Sequence, residues 1–257
     1  MTIGKEFSLE LRKLRHRHIP ALFLLTFALI AAWVSWCLKD LDLSKTNDAA
    51  AMLFLNLLLM NTILCPVIVA ALASRMCDME QAGSAYRWLC TIQKTECIYR
   101  GKVMVGGFCM ASFSLIQAVL FSSITASWGT NGQGRLAWIT LSLFFTLFLT
   151  SLCIFIFQLN LSLRFTNQLT PIFVSIGGTF AGLFSWFLNR WPLRYLIPWG
   201  YYAALCNTGL EYDEAARYST YYWTGYPVLW LAVLLAAIAI LYYFGQKHFL
   251  ETVRETM

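Results

Sequence analysis

Long unbroken apolar runs alternate along this chain with short polar segments, and the apolar positions within the runs show no period of two. Six runs are long enough to cross a bilayer: Ile19 to Leu38, Met52 to Ala73, Val103 to Ser127, Leu136 to Phe157, Pro171 to Leu188 and Pro227 to Phe244. At 1.5 Å rise per residue, about 20 residues cover a hydrocarbon core of roughly 30 Å. Continuous runs predict helices, because barrel strands alternate in segments of about ten residues. The expected fold is all-α: a single polytopic membrane domain over residues 1–257 with six transmembrane helices. The first run exceeds a signal-peptide core and lacks a small-residue cleavage site at Cys37-Leu38-Lys39-Asp40, so the N-terminus is expected to be retained.

Three polar segments add detail. In residues 1–18, Ile3, Phe7, Leu11 and Leu14 fall on one helical stripe, with Arg12, Lys13, Arg15 and Arg17 crowded at the membrane-proximal end. This predicts an amphipathic helix lying in the inner leaflet, with Pro20 marking a bend into the first span. The second segment, 75–102, is too long for a plain connection. Its Ala85, Trp88, Leu89 and Ile92 share a helical face beside Asp78, Glu80, Arg87 and Lys94. Either this short helix docks a partner or Trp88 beds into the headgroup layer, as tryptophans do. The third segment, 189–226, holds Pro192, the break Ile197-Pro198-Trp199-Gly200, an apolar stretch at Tyr201 to Leu205 too short to span, and an acidic and aromatic patch from Glu211 to Trp223. It is expected to re-enter the outer leaflet and return.

Composition agrees with a membrane class: 59% of residues are hydrophobic and 12% charged, against about 25% charged in soluble domains. Orientation follows from the basic residues, thirteen in the segments on one side and six on the other, which predicts both termini in the cytosol. The formal charge of +6 therefore belongs to the inner face, where it meets anionic lipid rather than nucleic acid.

Chemistry is sparse. His16, His18 and His248 lie near the chain ends, so neither a serine–histidine pair nor H-E-x-x-H can form within the spans, and no G-x-x-x-x-G-K-[ST] loop is present. No catalytic group, metal site or cofactor of its own is expected. The eight cysteines lack C-x-x-C spacing, and a Cys37–Cys206 disulfide is left open. On these boundaries no span holds an ionisable side chain, which argues against ion-coupled transport. Asn56, Asn61 and Gln117 either bond between helices or face a substrate path.

The basic N-terminal helix with Glu10-Leu11-Arg12-Lys13-Leu14-Arg15, the first two spans, and the loop from Asp78-Met79-Glu80 through Trp88-Leu89 to Arg100-Gly101-Lys102 resemble the membrane subunits of type-2 ABC exporters. Size and the Glu80 to Leu89 spacing are similar to the permeases of lantibiotic-immunity transporters. The resemblance implies that residues 84–92 form a coupling helix, with Glu80, Arg87, Trp88 and Leu89 meeting an ATPase subunit. It implies a bacterial cytoplasmic-membrane assembly of two ATPase subunits, which bind ATP and Mg, and two permeases, identical or related. The substrate expected is an amphipathic antimicrobial peptide, which the acids Glu211, Asp213 and Glu214 suit in charge. Export of a drug, lipid or ion, a non-transporting scaffold or sensor, and a channel are the rival readings.

Overall fold

The computed structural model describes residues 3–14, 18–39, 48–81, 94–128, 133–188, 192–213 and 218–256. The amphipathic segment is helix α1 (Ile3–Leu14). The six apolar runs are α2 (Ile19–Lys39), α3 (Ala49–Gln81), α4 (Thr95–Ser127), α5 (Gln133–Arg164), α6 (Leu169–Phe187) and, after the outer segment, α9 (Val228–Thr256). All six are long and apolar enough to cross a membrane. The chain is a multi-pass membrane protein.

Several helices outrun the bilayer. The 33 residues of α3 extend about 50 Å at 1.5 Å per residue, well past a core of roughly 30 Å. The apolar runs set only the middle of each helix. Backbone hydrogen bonding carries the helix onward into residues with good helical propensity, so the polar segment 75–102 is largely the stems of α3 and α4, and only 82–94 lie between them.

α3 is the central column. It packs on α2, α4, α5 and α6, while α5 also packs on α4 and α9. Its face toward the bundle carries Phe54, Leu57, Leu58, Val69, Leu72 and Met76, all buried. Small residues set the closest approaches. A Cβ at Gly106 of α4 would overlap the Phe155 ring of α5, and one at Gly182 of α6 would press on the Trp199 carbonyl at 2.9 Å.

His18 stands between α1 and α2 with a φ of 55°, a left-handed conformation uncommon outside glycine though several-fold enriched in histidine. The chain turns there, and Pro20 follows in the first turn of α2, where its missing N–H costs no hydrogen bond.

The segment from residue 192 to the last long helix, expected to re-enter the outer leaflet and return, is more varied than one apolar dip. It forms α7 (Leu193–Leu196), a 3₁₀ turn at Pro198–Gly200, and α8 (Tyr201–Ala204). Then comes a hairpin of β1 (Thr208–Asp213) and β2 (Tyr218–Trp223), antiparallel with Thr208 opposite Trp223. The Tyr- and Thr-rich run from Tyr218 suits a strand better than a helix. Asp48 anchors the hairpin: one carboxylate oxygen caps the Ala51 N–H at the start of α3, and the other accepts the Trp223 indole N–H at 2.6 Å.

Candidate functional site

The polar side chains concentrate at the end of the bundle that carries α1, the stems of α3 and α4, the α5–α6 turn and the last turns of α9. Here α1 lies across α4. The face it buries differs from the expected apolar stripe: Phe7 and Leu14 turn inward, but so do Glu6 and Glu10, while Leu11 is 40% exposed. Acids face the bundle because cations await them there.

Arg100, Gly101 and Lys102 of α4 make that reception. Arg100 forks onto Glu6, its Nε 3.1 Å from Oε2 and its Nη2 2.9 Å from Oε1, a charge-assisted bidentate pair. Gly101 lets the two helices close: a Cβ there would sit 3.2 Å from the Glu10 Cγ. Lys102 is completely buried. Its ammonium is 2.9 Å from a Glu80 carboxylate oxygen and 3.4 Å from Glu10, and it donates to the Met76 carbonyl at 2.8 Å. Lys13 completes the quartet, bridging Glu10 to Glu80, the latter at 2.6 Å. Two acids and two bases from three helices form a neutral cluster, buried except for the partly exposed Lys13, which is how charge survives away from water.

Two expectations are thereby corrected. Lys102, placed in a solvated loop by the end of the apolar run, lies within a helix and inside the protein. Glu80, expected on a partner-facing surface, turns inward and is only 2% exposed, because Lys102 and Lys13 attract it. Burial pulls the Glu80 carboxyl upward, but the charges and hydrogen bonds of Lys102 and Lys13 outweigh it and hold the group below the usual carboxylate range. Glu6 behaves alike: burial raises it, and hydrogen bonds from Cys97 and Arg100 with the Arg100 charge bring it below that range.

The next residue of α3 is clamped from the other side. Gln81 donates to the Ser162 carbonyl at 2.9 Å and accepts from Gln168 at 2.6 Å, fastening α3 to the α5–α6 turn. The α3 flank of 82–93 is thus fixed from two sides. Arg87, Trp88 and Leu89 lie outside the described residues.

The membrane-interior candidates do not converge on a path. Asn61 and Gln117 are buried and exchange amide hydrogen bonds, 2.7 Å in one direction and 3.2 Å in the other, joining α3 to α4. Asn56 instead accepts from the Trp33 indole at 3.4 Å and from the Cys37 thiol at 3.7 Å, joining α3 to α2. Apolar surroundings favour such pairing over a free amide. Elsewhere Ser151 links Cys65 and Tyr202, and Tyr99 donates to Asn160, which donates to the Leu241 carbonyl of α9. Cys37 and Cys206 are free thiols, the latter turned to Thr208.

At the opposite end, Glu211 is exposed on β1 beside the exposed side chains of Leu210 and Tyr212. Asp213 ends that strand, its side chain outside the described residues, and Glu214 lies outside them altogether.

The latch of α1 on α3 and α4 falls within residues 7–182, apart from Glu6, and it is over this stretch that the chain matches the model of the ABC-2 family transporter proteins. The chain belongs to the ABC-2 transporter family. No curated protein matches it. An ABC-2 permease is a transport subunit without an ATPase domain of its own, and its ATPase is a separate subunit. The ABC-2 match runs from Phe7 in α1 through most of α6, so the quartet and the Gln81 clamp lie within the matched residues. The hairpin and α9 lie beyond the matched residues.

The sequence reading missed the quartet. Its signal was present in two places: Glu6 and Glu10 recur at i and i+4 beside Phe7, and Arg100 and Lys102 flank a glycine. An acid pair bordering an apolar stripe, and a glycine between two cations, are the marks of a close polar helix crossing.

Proposed function

We propose that this ABC-2 permease exports an amphipathic cationic peptide of the lantibiotic type from the bacterial cytoplasmic membrane, driven by two ATPase subunits and working beside a second permease. The observation that carries the coupling part is the double clamp on the end of α3. Glu80 is held by Lys13 and Lys102, and Gln81 by Ser162 and Gln168. A push delivered to residues 82–93 by an ATPase would reach α1, α4 and the α5–α6 turn together rather than being absorbed by one loose helix end.

In this reading Arg87, Trp88 and Leu89 meet the ATPase, and Glu80 acts behind them as an internal strut. Both termini face the cytosol. The hairpin stands at the outer end, where Glu211 offers negative charge among exposed apolar and aromatic side chains to a cationic peptide, with Asp213 and Glu214 the further acids assigned to that contact. Asn61 and Gln117 hold helices together instead of lining the route.

The experiment is purification of the tagged permease in mild detergent with whatever accompanies it, followed by vanadate-sensitive ATP hydrolysis with and without a lantibiotic. A co-purifying ATPase whose turnover rises with the peptide is expected. Replacing Trp88 by Glu should reduce ATPase recovery at least several-fold while membrane insertion is unchanged. An ATPase stimulated instead by a drug or lipid would replace the substrate assignment, and a stable complex without nucleotide turnover would leave the chain a scaffold.

A further inference from the structure

We infer that the elbow between α1 and α2 is a binding site for an anionic phospholipid, its phosphate on Arg12 or Arg75 and its acyl chain along the apolar walls beside them. Two cavities open at this elbow. The larger, about 460 Å³, lies between α1, α2 and α4: Leu11, Leu14, Ile19 and Cys109 make its apolar wall, and Arg12 and Ser8 supply its polar groups. The smaller, about 350 Å³, lies between α2 and α3, with Leu22, Leu25 and Ala71 on its wall and His18 and Arg75 as its cations. Both volumes fall within the roughly 300–1,000 Å³ of ligand pockets. Ile19 lines both, so they flank a single turn of chain.

The described cations around the elbow fall into two groups, with Lys94, Arg164 and Lys247 exposed elsewhere at this end. Lys13, Arg100 and Lys102 are each committed to an internal carboxylate. Arg12, His18 and Arg75 are exposed, and among the described residues their side chains have no hydrogen-bond or ion-pair partner. A guanidinium left over beside an apolar cavity suits a ligand with a phosphate at one end and hydrocarbon at the other, since the planar fork takes two phosphate oxygens at once. Basic pockets between membrane helices take anionic lipid headgroups on this physical ground. A free phosphate would make no use of the apolar walls, and a zwitterionic lipid would bring its own cation to the guanidinium. The backbone adds a separate indication. His18 is held in the left-handed region, φ 55°, and a non-glycine residue kept in that conformation points to a constraint imposed by its site. Here the turn sets the imidazole on the same cavity as Arg75.

The site is distinct from the ATPase-facing and outer-face assignments, and its test needs neither. The full-length chain is reconstituted in phosphatidylcholine nanodiscs with increasing phosphatidylglycerol of the same chain length, and retained lipid is counted by native mass spectrometry. Phosphatidylglycerol should be retained over phosphatidylcholine, with R12Q and R75Q each weakening that retention about fivefold for the guanidinium removed. R12K/R75K should keep most of the preference, and K247Q, which alters an exposed cation at the same end of the bundle, should keep all of it. Among the described residues the Arg12 and Arg75 side chains make no hydrogen bond or ion pair, so the variants should fold, which unchanged thermal unfolding would verify. Equal retention of the two lipids, wild-type preference in R12Q/R75Q, or an equal loss in K247Q would overturn the proposal. Displacement of the lipid by glycerol phosphate at equal concentration would also overturn it, by reducing the site to one for soluble phosphate.

Discussion

Lys102 illustrates how one side chain can organise a junction. It is completely buried, ion-paired with Glu80 and hydrogen-bonded to Glu10 and a backbone carbonyl. Removing one member of such a cluster costs more than the cluster contributes, since the remaining charges stay buried without compensation, at about 3–5 kcal/mol. Lys102→Met should therefore destabilise the folded permease by about that amount, leaving Lys13 alone against two acids. The measurement is thermal unfolding in detergent. The double change Lys102→Met with Glu80→Met should recover much of the loss, because it removes a cation and an anion together. A Lys102→Met protein as stable as wild type would mean that water reaches the cluster. Of these residues, Lys13, Glu80 and Lys102 were visible in the sequence as charges bordering apolar runs. Their burial was not, because hydropathy scores a lysine alike whether or not a carboxylate from another helix meets it.

At the scale of the element, α1 is the instructive case. Its periodicity announced an amphipathic helix, and a helix forms, but the face turned to the bundle combines Phe7 and Leu14 with Glu6 and Glu10. Attachment is therefore partly electrostatic and depends on pH in a definite direction. Glu6 and Glu80 both titrate below the ordinary carboxylate value of 4.5 in the folded protein. Groups lowered in this way contribute stability that is fully present above their unfolded value and is lost as pH falls through the folded one. The docking of α1 should thus be insensitive to pH through neutrality and weaken only below 4.5. Pepsin cleavage within α1, followed as the pH is lowered, reads this out. Cleavage that is already rapid at the upper end of pepsin's range would show that the pairs do not hold the helix.

The segment between α6 and α9 carries the complementary lesson. Its prolines and its Pro-Trp-Gly break marked irregular backbone correctly, and α7, the 3₁₀ turn and α8 follow from them. The hairpin did not stand out, because Glu211 to Trp223 mixes acids, tyrosines and serine without a clean alternation. Contacts outside the hairpin decide it: Trp223 packs edge-on against Phe54 and donates to Asp48. A two-stranded hairpin is marginal alone in water, so its sequence need not advertise it.

For the whole molecule, α1 and the last turns of α9 lie at one end of the bundle, as the packing of Phe249 with Tyr99 requires, and Glu211 lies at the other. Excess basic charge at the first end predicts that epitope tags on both termini will be digested by protease added to inverted vesicles and protected in intact cells. A tag digested in intact cells would reverse the orientation and with it the assignment of an outer hairpin.

The sequence alone determined the membrane class, the number of crossings, the basic end and the sites of chain bending. These depend on properties each residue carries by itself or shares with neighbours a turn away: the transfer energy of a side chain, the rise of a helix, the restricted φ of proline. The tertiary structure decided which charges are inside and what they meet. Lys102 and Glu10 are separated by 92 positions, and whether they touch depends on the rotation and spacing of α1 against α4, fixed by Gly101 and by every other contact in the bundle. The same holds for Asn61 with Gln117, 56 positions apart, and for Trp223 with Asp48. Pairing energy belongs to two residues at a distance in three dimensions, and only the assembled helices set that distance.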